Sequence, residues 1–326
     1  MSQRVLRPKN EITVCFAHPA YRLKERFDLR NTGIKSFEVR TVEELQARLD
    51  EIDVLTVSRF WNNDFAGMTQ RLAFIQSISA GTEQYSQEIL GAAGIRVASA
   101  QGANERAVSE HAMSLILAIA RKLVQARDNQ QARHWRGLIS NISEREDELG
   151  GKTLVIVGMG RIGSRLARLA KAFDMHVIGV KRDPTKGAEA ADVAVAQADL
   201  YDVLPKADFV VLTCPLNEST EGLMDAQAFA AMRPSAYLVN VARGKVVDEP
   251  ALIDALQTGA IAGAALDCVC EEPLPPSSEL WEQPNLFITP HTAGETQRYE
   301  DNVIDLLLEN LDRLWSGETA LKNQFV

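Results

Sequence analysis

A chain of 326 residues, 46% hydrophobic and 24% charged, suits two α/β domains and is too apolar for extensive disorder. Its net charge of −9 argues against a nucleic-acid partner, which would want a basic face, and requires that any anionic ligand be held by local cations. The longest uncharged apolar run, Ala112 to Ala120, covers nine residues and is too short to span a membrane.

In chain order, short β-branched apolar runs alternate with amphipathic stretches, the pattern of parallel α/β architecture. Residues 12–17, 53–57, 74–79 and 96–98 read as strands, with helices over 41–49 and 84–93 between them. Asn104 is placed to cap a long helix, because Val108, His111, Ala112, Leu115, Ile119 and Leu123 recur at helical spacing. The polar stretch 127–148 reads as a surface arm or loop. After Gly150-Gly151 a second series opens with a strand over 153–157, followed by strands over 176–180, 208–213, 236–240, 261–266 and 286–289. An amphipathic helix over 296–315 closes the chain, with Tyr299, Val303, Leu307, Leu311 and Leu314 on one face.

Arg4, Arg7 and Lys9 lead into no apolar stretch of the kind a signal peptide needs, so a cytoplasmic address is expected. Cys15, Cys214, Cys268 and Cys270 include no CxxC pair, and Cys268-x-Cys270 is too tight for the usual zinc spacing. Buried reduced thiols and no metal site are the expectation.

Gly158-Met159-Gly160-Arg161-Ile162-Gly163 matches G-x-G-x-x-G between the strand 153–157 and a helix pattern of Ile162, Leu166, Leu169 and Ala170. In that context Gly158 permits the tight turn, Gly160 lets backbone approach a pyrophosphate, and Gly163 lets helix pack on strand. The helix N-terminus opened by Arg161 and Ile162 then offers N–H groups and partial positive charge to the phosphates. The second strand of this series ends on Lys181-Arg182, where an NAD site places a carboxylate for the ribose. Two cations suit a 2′-phosphate, which favours NADP(H) over NAD(H). The other reading makes both ordinary surface charges and Asp183 the ribose acceptor.

Four segments occur in a telling order: Val157 to Gly163, Val239-Asn240-Val241-Ala242-Arg243-Gly244, Ala265-Leu266-Asp267 through Glu272-Pro273-Leu274-Pro275, and Thr289-Pro290-His291-Thr292-Ala293-Gly294. Together they resemble the D-isomer-specific 2-hydroxyacid dehydrogenases, which include glyoxylate and hydroxypyruvate reductases and phosphoglycerate dehydrogenases. The resemblance covers nearly the whole chain. It implies two Rossmann-like or flavodoxin-like parallel-sheet domains, with a cofactor domain (104–293) inserted into a discontinuous substrate domain (1–103 and 294–326). The mid-chain glycine fingerprint independently favours that order. A homodimer built through the cofactor domain is also implied, with the arm 127–148 available for it and Trp135 near the interface.

Reducing a 2-oxo acid needs a cation for the carboxylate, a proton donor at the ketone oxygen and an adjacent hydride source. Arg243 lies just beyond a strand end, where open α/β sheets put ligand residues, and its planar fork can bind the carboxylate and polarise the carbonyl. His291, after another strand, would give the proton. Glu272 is its expected partner, orienting the ring and favouring its charged form; Glu271 is the rival, and Glu272 is chosen because it directly precedes Pro273. Formate dehydrogenases, a related branch, pair their histidine with glutamine, so the glutamate speaks against formate oxidation. Asp267 matches the residue that holds the nicotinamide carboxamide. In Ser79-Ala80-Gly81-Thr82, Gly81 matches the loop whose N–H groups meet the substrate carboxylate, a plain turn being the alternative. Phe60 and Trp61 either roof the substrate pocket or pack in the core, and His18, His111, His134 and His176 read as structural.

The expectation is therefore an NADP(H)-dependent reductase of small 2-oxo acids, glyoxylate- or hydroxypyruvate-like, giving D-2-hydroxy acids. One alternative is an NAD-dependent dehydrogenase running oxidatively on another acid, with no added regulatory domain after Val326 to suggest a long-form phosphoglycerate dehydrogenase. The other is a corepressor-like cofactor-sensing protein, disfavoured because the long tails and partner motifs of such proteins are missing.

Overall fold

The computed structural model describes residues 3–326. The chain forms two compact units, one from the segment up to Asn104 together with Glu295–Val326, the other from Glu105–Gly294.

The first unit contains β1 (Thr13–Ala17), α1 (Leu23–Asp28), β2 (Lys35–Val39), α2 (Val42–Ala47), β3 (Val54–Val57), α3 (Phe65–Met68), β4 (Phe74–Ser77), α4 (Gln87–Ala93) and β5 (Arg96–Ala98). All strands are parallel, in the order β2-β1-β3-β4-β5. Strands β1, β3 and β4 are buried along their full length; helices cover both faces of a parallel sheet, so its inner strands read as unbroken apolar runs. Strand β2 lies at the edge and carries Lys35 and Glu38 to solvent, which removes that signature. Trp61 belongs to the core of this unit. It is 7% exposed, sits edge-on to Phe65 and near Tyr85, and donates its indole N–H to Asn63 Oδ1 at 3.0 Å. Phe60 packs, partly buried, against the same cluster.

The second unit contains α5 (Glu105–Ala120), α6 (Leu123–Gln131), β6 (Thr153–Val157), α7 (Arg161–Ala172), β7 (His176–Lys181), β8 (Val193–Ala196), α8 (Leu200–Val203), β9 (Phe209–Leu212), α9 (Ala226–Ala231), β10 (Tyr237–Asn240), α10 (Glu249–Thr258), β11 (Gly263–Leu266) and β12 (Leu286–Ile288). Its seven parallel strands run β12-β11-β10-β9-β6-β7-β8. The chain winds one way from β6 to β8 and then the other way from β9 to β12, so the strand order reverses between β6 and β9. Ligands of open α/β sheets bind at the carboxyl ends of the strands beside that reversal.

The closing helix α11 (Tyr299–Trp315) returns to the first unit. Tyr299, Val303, Leu307 and Leu311 are buried on one face, Leu314 only partly. Asn310 is wholly buried, yet its amide donates to Gln76 Oε1 at 2.9 Å and its oxygen accepts from Lys322 N at 2.8 Å, so it carries no unpaired polar group. Phe325 N then donates to Val97 O at 3.0 Å, tying the last residues to the edge strand β5.

Cys15, Cys214 and Cys268 are buried free thiols, and burial raises their pKa. Cys270 departs from expectation: it is exposed, although Cys268, two residues earlier on the same loop after β11, is buried. Among the described residues no helix is long and apolar enough to cross a membrane.

Candidate active site

At the end of β6 the three glycines meet three different constraints. Gly158 has φ +105°, and a Cβ there would lie 2.6 Å from the backbone nitrogen of Cys214. A Cβ on Gly163 would overlap the Gly158 carbonyl, so α7 packs against the turn only with glycine at that place. A Cβ on Gly160, by contrast, would meet nothing within 4 Å. Gly160 is the N-cap of α7 and, as glycine, puts no side-chain acceptor on the first N–H groups of the helix. A pyrophosphate fits that cradle on steric and electrostatic grounds. The Thr213 hydroxyl, just past β9, donates to Gly158 O at 2.7 Å and fixes the turn from the other side of the strand reversal. Arg161 is exposed and Ile162 half-buried at the head of the helix.

Beside this turn is a hollow of about 110 Å³ whose lining includes Met159, Lys181, Arg182, Pro215, Asn217 and Thr220. Lys181 Nζ donates to Gly187 O and to Glu189 Oε1, each at 3.0 Å. Arg182 is exposed. Asp183 is occupied locally: its carboxylate accepts from Thr185 N at 3.1 Å and Thr185 Oγ1 at 2.5 Å, and these bonds, with Lys186 and Lys181 nearby, hold its pKa below the usual carboxylate range.

Three neighbouring strands deliver the remaining residues of this unit. Arg243 follows β10; its Nη1 donates to Ala242 O at 2.8 Å, while Asn240 brackets the turn by accepting from Ala242 N and donating to Arg243 O. A Cβ on Gly244 would overlap the Val269 carbonyl, so the Arg243 turn lies directly on the loop that leads from β11 to Glu272. The Glu272 carboxylate accepts from His291 Nδ1 at 2.7 and 2.9 Å and from Val269 N at 3.2 Å. Of the two adjacent glutamates, this is the one at the ring. Because an ionised carboxylate only accepts, Nδ1 carries a proton and Nε2 is the position left for acid–base exchange.

His291 has φ +55°, a left-handed conformation that costs a non-glycine residue roughly 1–2 kcal/mol. The anchor is Asp267, 2% exposed, whose carboxylate accepts from Thr289 Oγ1 at 2.6 Å, Thr292 N at 3.0 Å and Ala293 N at 3.0 Å. The Thr289 proton is used on Asp267, so the 3.0 Å contact between Thr289 Oγ1 and His111 Nε2 is a bond that the histidine donates.

In the first unit, Gly81 lies in the loop beyond β4. That loop is held by the Ser79 and Ser58 hydroxyls at 2.5 Å and by Ser79 N donating to Ser77 Oγ at 3.1 Å.

A family profile described as D-isomer specific 2-hydroxyacid dehydrogenase, NAD binding domain, matches residues 113–293, more than half of the chain. The chain belongs to this family. It is 33% identical over 283 residues to a glyoxylate reductase of Pyrococcus furiosus, covering 85% of this chain and 83% of that protein. A glyoxylate/hydroxypyruvate reductase B of Pectobacterium carotovorum is 34% identical over 258 residues, covering 79% and 80%. A D-3-phosphoglycerate dehydrogenase of Methanocaldococcus jannaschii is 34% identical over 284 residues, but the match spans 53% of that longer protein. Among solved structures, a D-isomer specific 2-hydroxyacid dehydrogenase family protein of Aeromonas salmonicida superposes with a TM-score of 0.84 at 26% identity, covering 97% of this chain and 99% of that one.

As a 2-hydroxyacid dehydrogenase, the protein is an NAD(P)-dependent oxidoreductase with two parallel-sheet domains. Sequence reading left out three polar residues that its site contains. His111 reads as structural from its local sequence, and only the fold brings it to Thr289, 178 positions away. Glu189 carries no local motif. Thr213 had a usable signal, since it follows a strand end beside the reversal of strand order.

Proposed function

We propose that this 2-hydroxyacid dehydrogenase is an NADP(H)-dependent reductase of small 2-oxo acids of the glyoxylate or hydroxypyruvate kind, forming D-2-hydroxy acids. The observation that carries the reading is the Glu272–His291 pair, with the Arg243 turn packed on the loop that leads to Glu272. Arg243 binds the substrate carboxylate and polarises the carbonyl. His291 gives the proton on Nε2 to the carbonyl oxygen as the carbonyl carbon is reduced; Glu272 holds the ring and balances its charge. A bound reduced nicotinamide supplies the hydride. Gly158, Gly160 and Gly163, with Arg161 and Ile162 at the head of α7, hold the pyrophosphate. Asp267 supports the His291 loop and offers its remaining acceptor capacity to the carboxamide. In the oxidative direction the neutral ring takes the proton back.

The preference for NADP(H) rests on Lys181 and Arg182 beside the hollow at the end of β7, and on Asp183 being committed to Thr185. Relatives named as glyoxylate and glyoxylate/hydroxypyruvate reductases support the substrate class. A homodimer through the cofactor unit fits the arm after α5, where Trp135 and Leu138 are fully exposed and Ile142 is 78% exposed. Such apolar exposure is unusual on a monomer surface. A cytoplasmic location is part of the same reading.

The test is a matrix of kcat/KM values for glyoxylate, hydroxypyruvate, pyruvate and 3-phosphohydroxypyruvate, each with NADPH and with NADH. Highest efficiency is expected for glyoxylate or hydroxypyruvate with NADPH. A protein that works best with NADH on the phosphorylated acid would overturn the proposal and support the oxidative alternative.

A further inference from the structure

The Lys181 ammonium, at the mouth of the cofactor turn, already has an anionic partner. Its side chain is only 12% exposed, because the loop between β7 and β8 folds back and places Gly187 O and Glu189 Oε1 on Nζ. The Glu189 carboxylate also receives the Ser164 hydroxyl, which projects from the first turn of α7. Glu189 has φ +57°, so the loop holds this carboxylate in place against a local conformational penalty. The Ser164 hydroxyl first, and then Lys181, hold the Glu189 carboxyl below the usual range, which keeps it ionised at neutral pH.

Ser164 lies on α7, which the glycine turn opens, and Lys181 ends β7, whose Val180 O accepts from Gly158 N of that turn at 2.8 Å; Arg182 lines the hollow next to Lys181. An anion at this place is therefore recognised by a hydroxyl, an ammonium and an adjacent guanidinium, the donor set that suits a phosphate monoester. We propose that Glu189 is a cofactor-discriminating residue: its carboxylate is an internal stand-in for the 2′-phosphate of NADP(H), bound by Lys181 and Ser164 until the cofactor displaces it. The inference rests on the assignment of Lys181 and Arg182 to the adenosine ribose. With the uncharged ribose of NADH, Glu189 keeps its place and neutralises Lys181. With NADPH it must leave, since two anions cannot share one ammonium without repulsion. The result is a smaller preference between the two cofactors than two unopposed cations would produce.

Calorimetric titration of the full-length protein with ADP-ribose and with 2′-phospho-ADP-ribose tests this without turnover. Glu189→Gln keeps a hydrogen-bonding side chain and should tighten 2′-phospho-ADP-ribose by about tenfold, the scale of one charge-assisted contact. Binding of ADP-ribose should change less than about twofold, within the small effects expected of an exposed charge. In a Lys181→Met background the gain from Glu189→Gln should vanish. Weaker binding of 2′-phospho-ADP-ribose by Glu189→Gln, or an equal change for both ligands, would overturn the proposal and make the carboxylate a loop anchor. If Arg182→Ala weakens 2′-phospho-ADP-ribose while Glu189→Gln changes nothing, the role of Glu189 alone falls. If Arg182→Ala and Lys181→Met both leave that affinity untouched, the cation assignment falls and takes this proposal with it.

Discussion

Glu272→Gln retains side-chain size and an acceptor for His291 Nδ1 and removes only the negative charge. In the protein that charge lies on oxygens 2.7 and 2.9 Å from Nδ1, with side chains 43% exposed for the histidine and 30% for the glutamate. Two unit charges about 4 Å apart attract by about 1 kcal/mol in water and about 4 kcal/mol at an effective dielectric of 20. Water-exposed pairs fall at or below about 1 kcal/mol, and partial exposure of both groups puts this pair near the lower figure. About 1 kcal/mol corresponds to roughly fivefold in rate. In the proposed mechanism the charged ring gives its proton to the carbonyl oxygen, so the carboxylate that balances that charge favours reduction. The kcat/KM for 2-oxo acid reduction at neutral pH should therefore fall about fivefold in Glu272→Gln. The same assay on Glu271→Gln should find less than about a twofold change. An unchanged kcat/KM in Glu272→Gln, with a fall in Glu271→Gln, would refute the reasoning.

Asp267→Asn replaces one acceptor oxygen by an amide that faces backbone N–H groups, a buried mismatch of about 1–3 kcal/mol. A lower thermal midpoint and a reduced kcat should appear together, and an unchanged midpoint in calorimetry would sink the anchor role. Gly244→Ala forces a methyl into the Val269 carbonyl and should cost at least about 100-fold in kcat through displacement of the Glu272 loop. Gly160→Ala meets open space, so it should fold normally and show its effect in the KM for cofactor; equal losses of folding yield in both variants would contradict this contrast. Sedimentation should find a dimer in the parent, shifted toward monomer by Trp135→Glu or Leu138→Glu, and a monomeric parent at micromolar concentration would end the dimer proposal.

What could be read in the sequence follows burial. Strands such as Thr153–Val157 and Val54–Val57, enclosed on both sides, appear as runs dominated by β-branched residues. Of the four edge strands, β5 and β12 are legible and two escape: Lys35 and Glu38 dilute β2, and Val193, at 44% exposure, opens β8. Helix α9, Ala-Gln-Ala-Phe-Ala-Ala, buries only Ala228 and Phe229, too little periodicity to declare a face. At the proposed site, Arg243, Glu272 and His291 stand out in the sequence because each belongs to a compact local string. Glu189, His111 and Thr213 do not stand out, because they bond partners 25, 178 and 55 positions away in sequence. Side chains joined by tertiary contact leave no local pattern, and only the strand-end rule reaches any of them.

The same geometry explains why the proposed chemistry belongs to one half of the second sheet. In the parallel register Asn240 stands opposite Leu266, and Leu266 opposite Ile288. Arg243 follows the first by three positions, Asp267 the second by one, and His291 the third by three, so three adjacent strands carry their polar residues out at one edge. The left-handed backbone of His291 breaks the extended course of its segment, and Asp267, emerging from the neighbouring strand, supplies the acceptors that hold this break. Across the reversal of strand order, β6 and β7 end instead in the glycine turn and the Lys181–Arg182 pair. In the proposed function, recognition of the cofactor and handling of the proton thus draw on different strands of a single sheet. A one-residue slip of β12 would turn every side chain of that strand to the opposite face. It would also carry Thr289, Thr292 and Ala293 away from Asp267, and the Glu272–His291 pair would be lost with them.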